Sequence, residues 1–234
     1  MSAPAPDLQQ LPNEQLEELH VDFDGKPVVR HRGTERVWIV PTCVDTFRWQ
    51  PRPRSGGGLW TIGWIGTGGN LDYLSAIEEP LRAFLVEHSD ARLLVVSDRE
   101  PAFENLPAEG WRFERWSEDR EVALVGSMDV GLMPLPDTDW ARGKCGAKML
   151  LYMAAGLPVL VSPIGSNAEI LALGRVGFGP KTPEEWLEGL RSFYSAPDLA
   201  AEYGTAGREI AVRSYSVDAN APKLAEIFRQ VAAR

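Results

Sequence analysis

From Trp60 onward the chain alternates short, unbroken apolar runs with segments whose apolar residues return every three or four positions. Trp60–Gly66, Ala91–Ser97 (ARLLVVS), Trp111–Trp116, Val130–Leu135, Pro158–Val161 and Val176–Phe178 are runs of the first kind, expected of strands covered on both faces. Leu71, Leu74, Ile77, Leu81 and Phe84 mark one helix, with Asn70 placed to cap it and Pro80 to kink it. Glu118–Ser127, Ala147–Ala155 and Asn167–Leu173 read as further helices, the second closed by Gly156. Thr182, Pro183 and Glu185 form a capping box ahead of a helix over 183–195. Ser216 caps a last helix over 217–232, with Ala221, Leu224, Ile227, Phe228 and Val231 on one face. Six strands alternating with helices predict an α/β fold, a doubly wound parallel six-stranded Rossmann-like sheet.

The chain before this pattern is different. Residues 1–35 are polar, rich in Pro, Gln, Glu and Asp, and lack a period, as expected of a disordered or loosely attached leader. Residues 36–58 read as a crossover or linker, with an apolar strand candidate at Val37–Val40 and a flexible PRPRSGGG at 51–58. The domain proper is expected over 59–234.

Lys and Arg number 24 against 33 Asp and Glu, a formal charge of −9. Phosphate contacts need excess basic side chains, so this balance argues against nucleic acid and anionic lipid as partners. Cys43 and Cys145 lie far apart and make neither a disulfide framework nor a four-ligand metal site. The first thirty residues hold no apolar signal core, and the longest apolar run, Met149–Val161, is broken by Gly156 and Pro158. No transmembrane segment is expected, and a reduced, cytoplasmic setting is.

Against this acidic field, ARGKCGAK gathers Arg142, Lys144 and Lys148 within seven residues and no acid between them. It is not a P-loop: Thr138 stands where that motif needs its first glycine, and Cys145 where it needs Ser or Thr. What remains is a pair of lysines at a helix start, where backbone N–H groups and ammonium charges can converge on one anion. The loop GWIGTGGN offers Gly63, Gly66, Gly68 and Gly69. Leu71 breaks the dinucleotide fingerprint, and Asp98 falls later than the usual ~20 residues, so a nicotinamide site is a poor fit. The loop either packs helix on strand or lets backbone approach a phosphate. Asp137-Thr138-Asp139 is a literal D-x-D, which holds a divalent metal against a diphosphate in some proteins and is a plain turn in most. His20, His31 and His88 sit in the leader or at a helix end, and none is placed as a catalytic base.

DVGLMPLPDTDWARGKCGAKMLLYMAAGLPVLVSPIGSNAEI, residues 129–170, resembles the donor half of GT-B glycosyltransferases of the group 1 family, which use nucleotide-sugars with retention. VWIVPTCVDTFRWQPRP resembles the crossover between the two domains of such proteins, often "IPxxVD" there. The resemblance covers about residues 36–234. It implies that Gly66, Thr67, Gly68 and Gly69 approach the donor diphosphate, that Trp116 and Ser117 lie near the nucleobase, and that Gly143, Cys145 and Gly146 hold diphosphate and sugar. Two features depart from the family. Its paired glutamates fall on Gly143 and Leu151, so the ribose-holding carboxylate is missing at Leu151. Its basic pair after the first strand is absent, and Lys144 and Lys148 stand in for it. Some members carry "GKCG.K" at this place.

The expectation is therefore a single GT-B C-terminal half with a short irregular N-terminal segment. It binds a nucleoside diphosphate sugar, with Lys144, Lys148 and Arg142 as electrostatic catalysts and neither metal nor other cofactor. A complete member of the family has an acceptor domain ahead of the crossover, so an apolar face around Trp38, Phe47 and Trp49 is expected to be exposed. Such a face drives homo-oligomerisation or recruits a separate acceptor-domain polypeptide. The rivals are a non-catalytic nucleotide-sugar-binding subunit or sensor and, remotely, an NAD(P)-dependent oxidoreductase.

Overall fold

The computed structural model describes residues 19–21, 27–29, 38–52 and 58–232. The chain divides into two compact units, one of Thr42–Pro222 and one of residues up to Pro41 with Lys223 onward. In the smaller unit, β1 (Leu19–Val21) and β2 (Pro27–Val29) pair antiparallel, Leu19 opposite Val29. The rest of the expected leader lies outside the described residues, as does 53–57 of PRPRSGGG.

The larger unit carries the predicted α/β sheet. In chain order it runs β3 (Trp60–Ile65), α1 (Leu71–Ser75), α2 (Glu78–Glu87), β4 (Ala91–Ser97), β5 (Trp111–Arg115), α3 (Glu121–Val125) and β6 (Val130–Met133). Then come α4 (Asp139–Arg142), α5 (Ala147–Ala154), β7 (Val159–Val161), α6 (Gly165–Leu171), β8 (Gly177–Phe178), α7 (Pro183–Ser195) and α8 (Pro197–Ile210). A π-helical turn over Ala211–Tyr215 leads into α9 (Val217–Ala232), whose end belongs to the smaller unit. The six strands β3–β8 are all parallel, in the order β5-β4-β3-β6-β7-β8. The chain winds outward from β3 to β5, then returns to β6 and winds the other way. The switch point therefore lies between β3 and β6, where such sheets open a crevice at their carboxyl edge.

Strand side chains alternate between two cores. Leu93 and Val95 of β4 join Ile62, Trp64, Leu132 and Leu160 under Leu81, Phe84, Trp186 and Phe193 from α2 and α7. Leu94 and Val96 join Ile65, Met133 and Val161 over Leu124, Met149, Met153 and Ile170 from α3, α5 and α6. At the switch point β3 and β6 pair only at Ile62/Val130 and Gly63/Gly131, whereas β3 pairs with β4 from Trp60 to Ile65. Beyond Gly63 a side chain replaces the ladder. The buried Tyr152 hydroxyl of α5 accepts from Ile65 N at 3.0 Å and donates to Leu132 O at 3.3 Å.

Several local expectations change. The helix over 71–84 is two helices, broken at Ala76–Ile77. Pro80 sits in the first turn of α2, where its missing N–H leaves no hydrogen bond unmade, so it kinks nothing. Asn70 makes no side-chain cap; its amide bonds Thr67 Oγ1 and Lys144 Nζ instead. The D-x-D stretch starts α4, with Thr138 accepting from Ala141 N at 3.2 Å. The helices over 183–195 and 217–232 fall where expected, with Thr182 and Ser216 accepting from Glu185 N and Ala219 N.

The crossover segment is tied down. Arg208 of α8 donates to the carbonyls of Thr46, Trp49 and Ala154, and Val44 N donates to Tyr215 O at 2.8 Å. This clamp overturns part of the expected apolar face. Phe47 is 88% exposed, but Trp49 is turned inward and only 6% exposed; Trp38 is half-buried.

Candidate functional site

Three loops, following β3, β6 and β5, meet at the carboxyl edge of the sheet. The first follows β3. Gly66 N donates to Val96 O at 3.0 Å, and Gly68 N donates to Asp98 Oδ1 at 2.5 Å. Arg99 returns a bond to Gly68 O at 2.6 Å. The glycine loop is thus pinned at both peptide groups of Gly68 by residues just past β4. The Gly68 N–H, together with Ser97 Oγ, holds the Asp98 carboxyl below the usual carboxylate range despite some desolvation.

The second loop joins β6 to α5 and contains the basic cluster. Arg142 does not stand free: its guanidinium forms a fork to Asp137, Nε to Oδ1 at 2.7 Å and Nη2 to Oδ2 at 3.1 Å. That commits one aspartate of the D-x-D and neutralises one of the three cations. Among the described residues no three of His, Cys, Asp and Glu gather as a metal cluster. Gly143 ends α4, Cys145 is exposed, and Gly146 sets the corner before α5 at φ 68°, a left-handed conformation that favours glycine. Gly165 at the start of α6 lies so close that a Cβ there would come within 2.2 Å of Arg142 O. The α5 N-terminus has no side-chain cap and no acid in its first turn. Its leading N–H groups and dipole are left for an anion.

Lys148 is the second residue of α5, one turn before Tyr152, so the tyrosine tie fixes where the lysine points. It is half-buried, and its Nζ lies over the Trp64 ring at 5.5 Å. Its Cε is so near the glycine loop that a Cβ on Gly66 would sit 2.6 Å from it. Among the described residues no carboxylate or carbonyl pairs with the ammonium. Burial, and then the charge of Lys144, push it down to about 8. Lys144 donates to Asn70 Oδ1 at 3.2 Å and lies over the rings of Tyr73 and Trp140.

The third loop follows β5. Trp116, 45% exposed, donates its indole Nε1–H to Glu121 Oε2 at 2.7 Å. Glu121 Oε1 accepts from Arg48 of the crossover at 2.7 Å. Between these loops lies a cavity of about 500 Å³ lined by Ile65, Gly66, Thr67, Asn70, Asp98, Trp116, Glu121, Ala147, Lys148 and Leu151. Of the residues singled out from sequence, Gly66, Thr67, Trp116, Lys148 and Leu151 meet here. Gly68 supports the wall from behind, and Gly69 is exposed beside it. Ser117 serves the turn into α3, its carbonyl accepting from Arg120 N and Glu121 N. Gly143, Cys145 and Gly146 shape the α4–α5 corner without lining the cavity. A larger hollow of about 610 Å³ near Pro80, Pro134 and Trp186 opens toward α2 and α7 and touches neither Lys148 nor the glycine loop.

Sequence reasoning missed Glu121, Arg48 and the packing role of Trp64. It considered Asp98 only as a dinucleotide acid. An acid at the carboxyl end of a buried strand was the one legible signal for Asp98.

A doubly wound parallel sheet with a cavity at its carboxyl edge, beside an uncapped helix N-terminus, is the class of molecule that the fold and site define. Within that class, residues 61–196, more than half of the chain, match the family of glycosyl transferases group 1, and the chain belongs to that family. A stretch of 96 residues is 34% identical to the alpha-maltose-1-phosphate synthase of Mycolicibacterium smegmatis, over 38% of this chain and 25% of that protein. The chain thus matches about a quarter of that relative's length. The C-terminal domain of a group 1 glycosyl transferase from Francisella tularensis superposes with a TM-score of 0.58 at 16% identity, over 74% of this chain and 99% of that one. The HepE protein of Anabaena, solved with UDP and glucose, superposes with a TM-score of 0.60 at 13% identity, over 82% of this chain and 56% of that one. The fold is that of the GT-B C-terminal domain. Among the described residues no helix is long and apolar enough to cross a membrane.

Proposed function

We propose that this chain is the donor-binding half of a glycosyltransferase, holding a nucleoside diphosphate sugar in the cavity between the glycine loop and α5. The observation that carries this reading is Lys148: a half-buried ammonium with no counterion among the described residues, beside an uncapped helix N-terminus and against Gly66. A lone buried cation is unfavourable in the empty protein, and a diphosphate supplies the missing charge. As the glycosidic bond breaks, negative charge grows on the leaving diphosphate. Lys148, Lys144 and the α5 amides stabilise that charge most in the transition state, which is where stabilisation accelerates reaction. Arg142 acts more remotely, shaping the corner through Asp137. The anchoring charge comes from lysines rather than a metal. Transfer with retention to an acceptor held by another domain or polypeptide, in the cytoplasm, completes the reading. HepE with its UDP supports the donor class.

Thermal melting with UDP, GDP, ADP, pyrophosphate and NAD tests this. A diphosphate at a hundredfold its dissociation constant raises stability by about 2.7 kcal/mol, and NAD does not. A panel without any shift at millimolar concentration sinks the donor-site reading. One feature favours a non-catalytic binding subunit instead: Leu151 makes an apolar wall where the family resemblance places a carboxylate. Transfer assays with donors that bind separate the two.

A further inference from the structure

If the cavity holds a nucleoside diphosphate, as proposed above, the absent carboxylate at Leu151 leaves the ribose hydroxyls facing a hydrocarbon. We infer that Asp98, at the carboxyl end of β4, is the residue that accepts hydrogen bonds from the ribose diol of the bound nucleotide. The strand order carries this. The cradle for the diphosphate, Gly66 and Lys148, lies past β3, and the exposed indole of Trp116 lies past β5. β4 runs between them, paired to both. Neighbouring strands lie about 4.8 Å apart, so β3 to β5 spans about 10 Å, the stretch from a diphosphate to a stacked base. The unit between phosphate and base is the ribose, and the residue at that middle position on the same cavity wall is Asp98.

The carboxylate has the right capacity. The bonds from Gly68 N and Ser97 Oγ both fall on Oδ1, which leaves Oδ2 to accept from a ligand hydroxyl. Those two bonds also fix the side-chain rotamer, so ordering Asp98 on binding loses little entropy. Leu151 and Ile65, which line the same cavity, give the sugar ring an apolar face. A carboxylate accepting from a hydroxyl discriminates strongly against an analogue without it, because the charged oxygen is then left desolvated and unpaired.

The test measures the affinity of the full chain for UDP and GDP, for their 2′-deoxy and 3′-deoxy counterparts, and for pyrophosphate, before and after Asp98→Asn. An asparagine carbonyl oxygen still accepts from Gly68, so the loop pin is kept, and the melting temperature of the free variant checks this. The unsubstituted chain should prefer the ribonucleotide over at least one deoxy form by roughly tenfold to a hundredfold. Asp98→Asn should abolish most of that preference without weakening pyrophosphate binding, because it keeps the loop pin and removes a negative charge from the cavity. Equal affinity for ribo and deoxy forms, or a preference that survives Asp98→Asn, overturns the assignment. Pyrophosphate binding with no gain from any nucleoside overturns it too but leaves the anion cradle standing. Absence of binding by every compound removes the donor-site reading and this assignment together.

Discussion

Replacing Lys148 by methionine should make the free protein more stable and the ligand-binding protein less so. The ammonium is pushed down to about 8 from an ordinary 10.5. At about 1.4 kcal/mol per pH unit, that gap corresponds to about 3 kcal/mol by which the charged lysine destabilises the fold. Residual solvent contact lowers the figure to about 1–2 kcal/mol. The sign follows from proton counting. Below about 8 the amine is charged in both states and the penalty is complete. Between about 8 and 10.5 the unfolded chain holds a proton that the folded one lacks, so native stability rises with pH and the penalty fades. Methionine keeps the length of the side chain beside Trp64 and carries no charge. A chain of this size shifts by about 2–4 °C per kcal/mol, so Lys148→Met should melt about 2–8 °C higher near neutral pH, and the difference should shrink toward pH ~10. The same variant should lose most of the stabilisation given by a nucleoside diphosphate. Melting curves of both proteins across this pH range, with and without UDP, provide the measurement. A difference that is absent, or constant with pH, would refute the claim that an uncompensated buried charge sits at this site.

Other substitutions probe the supports of the cradle. Tyr152→Phe removes the hydroxyl that accepts from Ile65 N and should lower stability by about 1–3 kcal/mol in urea denaturation; an unmoved midpoint would show that water satisfies that amide. Gly165→Ala places a Cβ against Arg142 O at a φ of 49° and should cost more than about 1 kcal/mol and weaken nucleotide binding. Equal melting temperature and affinity would show that the α4–α6 contact is slack. EDTA should leave nucleotide binding unchanged, since Asp137 is engaged with Arg142; a manganese requirement lost in Asp139→Ala would reverse that assignment.

The strands were legible because a sheet covered on both faces needs apolar runs at each strand, and ARLLVVS meets that need within seven residues. Helices with their own caps, such as that begun by Thr182, were legible for an equally local reason. Features decided by distant contacts were not. The glycines of α8 look like helix breakers, yet Gly204 lies so near Gly156 O that a Cβ would come within 2.1 Å, and the helix exists because glycine permits that approach. Trp49 reads as surface in an aromatic crossover, yet its side chain packs into the core and its carbonyl accepts from Arg208, 159 residues away. At the site, the basic cluster was visible but its division of labour was not. Which cation is paired depends on the fork from Arg142 to Asp137, and which is buried depends on Trp64.

The seam between β3 and β6 has a mechanical consequence. A crevice in a sheet ordinarily means two strands parting and leaving edge amides to water. Here the phenol of α5 stitches the parting strands, so the lip of the crevice keeps an amide bond where the ladder has ended. Ile65 should therefore exchange its amide hydrogen as slowly as the strand interior, although the glycine loop starts at the next residue. The stitch and Lys148 ride on one helix, so the residue that holds the seam closed and the lysine beside the glycine loop are placed by the same eight-residue element.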